Sequence, residues 1–364
     1  MTVPFVHLQR QYLRHKKELD ASMAEVIEHT AFISGRYAAQ FEADFAVWLG
    51  VKHVIACANG TDSLEILLDT FGVGPGDEVI VPAMTWISTA EAVGTRGAKP
   101  VFVDVDETWT MDPERIAERI TARTKGIIPV HLYGCPADMP RIMAIAEQHG
   151  LFVLEDCAQA HGATVSGRKI GTWGHAASFS FYPGKNLGAY GDAGGMATQD
   201  EALATKARMI ANHGQPKKHT HLMEGRNSRL DGLQGAILSV KLRHLDMWTR
   251  ERQSHAAAYD AGLADSGLRL PIRPKGCTSV HHLYVVEHHD RDKLREQLGS
   301  QGIQTPIHYP HALPTMPCYR EWNASAQEDF PVATAMSSRI VSLPIFPELT
   351  PGERDHVIQN LLKG

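Results

Sequence analysis

The chain has 364 residues, 43% of them hydrophobic, and 36 basic against 41 acidic side chains give a net charge of -5. That length exceeds what one core usually accommodates, so a large and a smaller domain are expected. The charge balance, without long basic runs, excludes binding of nucleic acid or an anionic membrane through bulk charge.

The first thirty residues mix charge with apolar side chains at helical spacing (Leu8, Tyr12, Leu19, Met23, Ile27) and read as a helix, not as a signal peptide. No stretch is long and apolar enough to span a bilayer. Cys57, Cys135, Cys157, Cys277 and Cys318 are scattered and form no C-x-x-C pair, so reduced thiols are expected. The protein is expected to be soluble and cytoplasmic.

From residue 51 onward, the apolar runs VKHVIACA, DEVIVP, KPVFVDV, KGIIPVHL and GLFVLED alternate with amphipathic segments. Runs apolar on both faces, separated by helices, predict a parallel sheet covered on both sides. In such a sheet the carboxyl ends of the strands and the loops after them form the ligand crevice. The candidate functional residues therefore lie where these runs end.

After the first run, NGTDSL (Asn59–Leu64) opens a helix with Leu64, Leu67, Leu68 and Phe71 on one stripe. Free amides at a helix start can hold a phosphate, with Gly60 and Thr61 at hand; an ordinary N-cap has the same sequence. GVGPGD at Gly72 precedes a strand instead of following one, so it is a turn and not a dinucleotide loop. Trp86, one turn into the helix expected after DEVIVPAMT, can stack on a planar ligand or pack in the core. Asp112 before Pro113, and Asp138 with Gly150, predict two further capped helices.

Asp156 ends GLFVLED, where a buried carboxylate needs a cation or a set of donors. A protonated pyridine nitrogen is one such cation and a structural ion pair is another. In AASFSFYPGKN, Ser178, Ser180 and Tyr182 alternate with Phe179 and Phe181, and Pro183-Gly184 breaks the strand to present Lys185. A partly desolvated lysine at such a place can form a Schiff base; a lysine in a surface turn has the same local sequence. GRNSRLDG, with Asn227 and Arg229, reads by itself as a capped helix start.

Near residue 240 the pattern changes. VKLRHLDMWTRERQSHAAAYDAGL reads as one long helix, so the expected domains are 1–240 and 241–364, the second an α+β unit with a strand in VHHLYVVEHH and a helix in RDKLREQLGSQGI. The histidine pairs there lack the H-E-x-x-H spacing, and no metal is expected.

Taken together, NGTDSLEILL, GPGDEVIVPAMTWISTAEAV, GAKPVFVDVD, IIPVHLYGCPADM, LEDCAQAHGA, SFSFYPGKNLGAYGDAGG, NHGQ, NSRLDGLQGAIL and SLPIFPELT resemble the DegT/DnrJ/EryC1/StrS family of sugar aminotransferases, in order and over nearly the whole chain. The resemblance implies the α/β architecture of the fold type I pyridoxal-phosphate enzymes: a large, mainly parallel seven-stranded sheet domain, a smaller α+β C-terminal domain, and a homodimer with sites at the subunit interface. It implies pyridoxal 5′-phosphate as cofactor, passing through pyridoxamine phosphate. Lys185 matches the Schiff-base lysine, Asp156 the partner of the pyridine nitrogen, and Gln159 the residue against the ring. Gly60, Thr61 and Ser180 match the phosphate cradle, Trp86 the stacking aromatic, and Asn227 a phosphate contact donated by the other subunit. His161, Tyr182, His308 and Tyr309 are the candidate substrate contacts.

Cys157, Gly184 and Trp86 depart from the residues frequent in that family, yet none removes a group the chemistry needs. Relatives that act as dehydratases carry histidine where Lys185 stands, so amino transfer is expected. The implied reaction moves an amino group from an amino acid, by analogy L-glutamate, to a keto sugar carried on a nucleotide. KNLGAYGDAGG leans toward a 3-keto sugar. A keto-cyclitol aminotransferase and a non-catalytic regulatory protein that binds the cofactor are the other readings.

Overall fold

The apolar runs become the strands of a single twisted sheet in the computed structural model, which describes residues 1–322 and 326–363. Five of them are β1 (His53–Cys57), β2 (Glu78–Pro82), β3 (Lys99–Val103), β4 (Thr124–Ile127) and β5 (Phe152–Asp156). Two short strands, β6 (Thr164–Val165) and β7 (Arg168–Lys169), precede β8 (Ala176–Ser180) and β9 (Gly194–Thr198). The order across the seven-stranded sheet is β1-β9-β8-β5-β4-β2-β3. Only β9 runs against its neighbours, so the sheet is mainly parallel, as the alternation of runs and helices predicts.

Helices cover both faces because both faces are apolar. On one side α3 (Gly60–Thr70) buries Leu64, Leu67 and Leu68, and Phe71 stacks on Phe152 with ring centroids 4.3 Å apart. On the other, α2 (Gly35–Leu49) brings Phe41 and Phe45 edge-on to Phe179 and Phe181, all of them fully buried. Each such aromatic contributes about 2–3 kcal/mol through burial. This phenylalanine face forces Ser178 and Ser180 to the opposite side of β8.

The remaining helices of the amino-terminal part include α1 (Leu8–Glu28), α4 (Ser88–Thr95), α5 (Met139–His149) and α6 (Glu201–Ala211). Asp138 caps α5 through the Arg141 amide, and Gly150 closes it in the left-handed conformation, as expected. Two expectations fail locally. Asp112 does accept from the Glu114 amide, but only two 3-10 turns follow, because β4 begins at Thr124 and leaves no room for a full helix. The long helix near residue 240 is two, α7 (Gly232–Leu242) and α8 (Leu245–Gly262), separated by a turn at Arg243 and His244.

Beyond α8 a short β10 (Cys277–Thr278) extends the β6-β7 ribbon, and β11 (Tyr284–Glu287) pairs antiparallel with β12 (Ile340–Leu343). A separate apolar cluster forms here, with Tyr259, Tyr284, Leu343 and Val357. Val3 joins this cluster and bridges Ile303, while Arg10 pairs with Glu353 at 2.7 Å. The amino terminus is thus strapped to the carboxyl-terminal elements, which the sequence pattern did not suggest. No helix among the described residues is long and apolar enough to cross a membrane.

Candidate active site

The carboxyl ends of β1, β2, β5 and β8 open into one cavity of about 870 Å3, within the range of small-molecule sites. Lys185 lines it, presented by a turn in which its amide donates to the Tyr182 carbonyl at 2.9 Å. Its amine bonds to no described residue. Desolvation pushes the amine down to about 8 from its ordinary 10.5, and the negative charge of Asp156 limits the fall. Such a lysine reaches its neutral, nucleophilic form far more readily than one in water.

Asp156 lies on the same cavity and is buried. Its two oxygens accept from the Thr89 hydroxyl at 2.9 Å and the Ala158 amide at 3.1 Å. Burial raises its pKa against those two donors and Lys185, so the site offers a fixed carboxylate short of a full counter-charge. A cation placed against it would relieve that cost.

Where β1 runs into α3, the Asn59 side chain caps the Asp62 amide at 2.8 Å. The amides of Gly60 and Thr61 then bond to no described residue, and both residues line the cavity together with Ser180. Only glycine fits at position 60, since a Cβ there would stand 2.7 Å from the Ser180 Cβ. The Thr61 hydroxyl sits 2.8 Å from that of Ser88. Two free amides at a positive helix end, with three hydroxyls nearby, make a cradle for a dianionic phosphate.

Gln159 is locked between the Tyr133 amide, which donates to its Oε1 at 2.7 Å, and the Tyr309 hydroxyl, which accepts from its Nε2 at 3.0 Å. Trp86 precedes α4 instead of standing within it, and the residue is 56% exposed at the cavity wall, its ring 5.5 Å from that of Tyr309. That exposure is what a stacking surface requires and a core residue lacks. Tyr182 stands exposed at the cavity wall. His308 lines the cavity with Nδ1 2.8 Å from the Ser342 hydroxyl, and burial pushes its pKa down to about 4, with Lys185 adding to the fall.

One residue expected at the substrate is elsewhere. His161 is fully buried on the phenylalanine face, 5.6 Å from both Phe179 and Phe181, and does not reach the cavity. Burial pushes its pKa down to about 3. Asn227 is exposed and lies outside its own chain's cavity, where its backbone bridges Asn212.

The sequence reading missed Thr89, Arg252 and His282, all of which line the cavity. Thr89 follows Thr85 by one helical turn and could have been paired with it; the other two carry no local signal.

A phosphate cradle, an amine and an undercompensated carboxylate on one wall fit pyridoxal phosphate, whose phosphate, aldehyde and ring nitrogen are spaced along one flat molecule. Bound there, that cofactor supplies a carbonyl carbon that exchanges amines and a ring that draws electrons away when a C–H proton leaves. Lys185 would then be placed to hold or move the proton, and Asp156 to fix the charge at the ring nitrogen.

The comparisons agree with this chemistry. The model of the DegT/DnrJ/EryC1/StrS aminotransferase family matches residues 14–362. The chain is 44% identical, over 99% of its length and 98% of the other's, to a Geobacillus stearothermophilus protein named a pleiotropic regulatory protein. It is 42% identical, over 95% of its length and 92% of the other's, to the dTDP-3-amino-3,4,6-trideoxy-alpha-D-glucose transaminase of Streptomyces venezuelae. The crystal structure of NtdA from Bacillus subtilis, with pyridoxamine phosphate as bound cofactor, matches with a TM-score of 0.93 at 33% identity, covering 100% of this chain and 85% of that one. The chain belongs to the DegT/DnrJ/EryC1/StrS aminotransferase family and is a pyridoxal-phosphate-dependent aminotransferase of fold type I.

Proposed function

We propose that this enzyme moves the amino group of L-glutamate to the keto carbon of a nucleotide-linked 3-keto sugar. The observation that carries the reading is the unpartnered amine of Lys185 on the same cavity wall as the buried Asp156. The 3-amino sugar named for the Streptomyces venezuelae relative supports the choice of carbon and of a nucleotide carrier, as does the segment KNLGAYGDAGG.

In this reading Lys185 is the covalent anchor and the proton carrier, and Asp156 pairs with the ring nitrogen. Gly60, Thr61 and Ser180 hold the phosphate, Trp86 and Gln159 enclose the ring, and Tyr182, His308 and Tyr309 meet the substrate. The functional unit is a homodimer in which Asn227 of one protomer completes the phosphate site of its partner. Its exposure, away from the cavity of its own chain, supports that assignment.

A purely regulatory role is the one competing reading with an observation behind it, the name of the Geobacillus relative. A single-turnover assay separates the two. Holoenzyme mixed with L-glutamate, without any sugar, is expected to release about one equivalent of 2-oxoglutarate per subunit, as double-displacement kinetics require. Absence of keto acid with every common amino acid, from protein that carries the cofactor, would favour the regulatory role.

A further inference from the structure

The loop before β11 carries two adjacent histidines, and the second, His282, lines the cavity that holds Lys185. Its ring is oriented from behind. Asn186 donates its amide to the Val280 carbonyl at 3.0 Å, which turns the Asn186 Oδ1 toward His282 Nδ1 at 3.1 Å. An amide oxygen can only accept there, so the imidazole proton resides on Nδ1 and Nε2 is left with a bare lone pair. Arg252, beneath the same loop, donates through Nη1 to the carbonyls of His281, His282 and Ile345 at 3.2, 3.4 and 2.8 Å. The ring is therefore oriented through Nδ1 and its backbone is anchored by Arg252, and neither contact depends on a ligand.

A second proton is kept off this ring. Burial, then the neighbouring Lys185 and Arg252, and more weakly His308 and His161, hold its pKa well below 6.5. Nε2 accepts no hydrogen bond from any described residue. The cavity wall thus offers a neutral, fixed acceptor beside the amine of Lys185, and the two do not bond each other.

A lone pair discriminates between the two substrates of an amino transfer. L-glutamate with its amine engaged in the exchange presents only carboxylate oxygens, which carry lone pairs of their own and are repelled. A keto sugar presents hydroxyl protons. We propose that His282 Nε2 accepts a hydrogen bond from a hydroxyl of the keto sugar, which makes His282 a specificity-determining residue for the sugar half of the reaction. The proposal rests on the sugar reading given above.

Holoenzyme carrying His282→Phe or His282→Gln tests it, with the two half-reactions followed separately through the cofactor's absorbance. Binding of a nucleotide-linked hexose that keeps its hydroxyls but has no keto group is measured by calorimetry. In His282→Phe the glutamate half-reaction is expected to keep its rate, while kcat/KM of the sugar half-reaction and the affinity for the hexose each fall by about tenfold. His282→Gln, whose side-chain carbonyl can accept, should recover part of both losses. Equal losses in both half-reactions would overturn the proposal by showing that His282 acts through Lys185, and so would no loss in either. Wild-type enzyme that releases keto acid from glutamate but aminates no keto sugar would instead overturn the substrate reading, and this inference with it.

Discussion

At the scale of single residues, the site is a problem of two buried charges that adjust each other. Lys185 is pushed down to about 8 by desolvation, and Asp156 opposes that fall. In the apoprotein, competitive labelling of the Lys185 amine across pH should therefore show a midpoint near 8, and Asp156→Asn should move that midpoint lower still. A midpoint near the ordinary 10.5 in wild type, or an upward shift in the variant, contradicts the charge pairing. The linkage has a definite sign. Between about pH 8 and 10.5 the unfolded chain holds a proton that the folded apoprotein has shed, so this lysine makes stability rise with pH across that window and adds nothing further above it. Both residues were legible in the sequence because each ends an apolar run. His282 and Arg252 were not, since they face the cavity across a fold that brings residues 156, 185, 252 and 282 together, and no local spacing records that.

At the scale of elements, the sheet was legible because strands buried on both faces read as unbroken apolar runs, and α3 because its stripe and cap agree. The 3-10 turns after Asp112 and the break before α8 were not, since each is set by what the next element needs. A polar latch that no pattern suggested holds the end of β5 in place. Glu155, fully buried, accepts from the amides of Gly171, Trp173 and Gly174, each at 2.7 Å, and lies 3.1 Å from His131 Nε2. His131 Nδ1 accepts from the Ala137 amide at 3.1 Å, so Nε2 carries the proton and donates. Glu155→Gln turns an amide group toward these donors and removes a charge that four of them satisfy. A loss of about 3 kcal/mol is expected in urea unfolding. Because Asp156 is the next residue, cofactor affinity should fall as well. An unchanged unfolding midpoint would mean that the latch contributes nothing to the rigidity of the carboxylate.

At the scale of the whole molecule, the proposed dimer makes each active site a joint product, with Lys185 from one protomer and Asn227 from its partner. Co-expression of Lys185→Ala with Asn227→Asp should give heterodimers in which one site carries both lesions and the other carries none, in about half of random dimers. Activity is then expected where each parent has little. Verified heterodimers as inactive as the parents would refute the shared site, whereas a fully active Asn227 variant would show that the residue is not needed; no helix-cap role competes, since Asp231 is the N-cap residue of α7. The central claim, amino transfer to a nucleotide-linked 3-keto sugar with Lys185 as anchor, is tested most directly by following the nitrogen. Holoenzyme is incubated with 15N-labelled L-glutamate and a nucleotide-linked 3-keto hexose, and the product is read by NMR. The expected result is 15N bonded to C3 of the sugar with wild type and no labelled product with Lys185→Ala; a sugar that returns unlabelled from active, cofactor-loaded wild type, or label transferred equally well by the variant, would contradict the account.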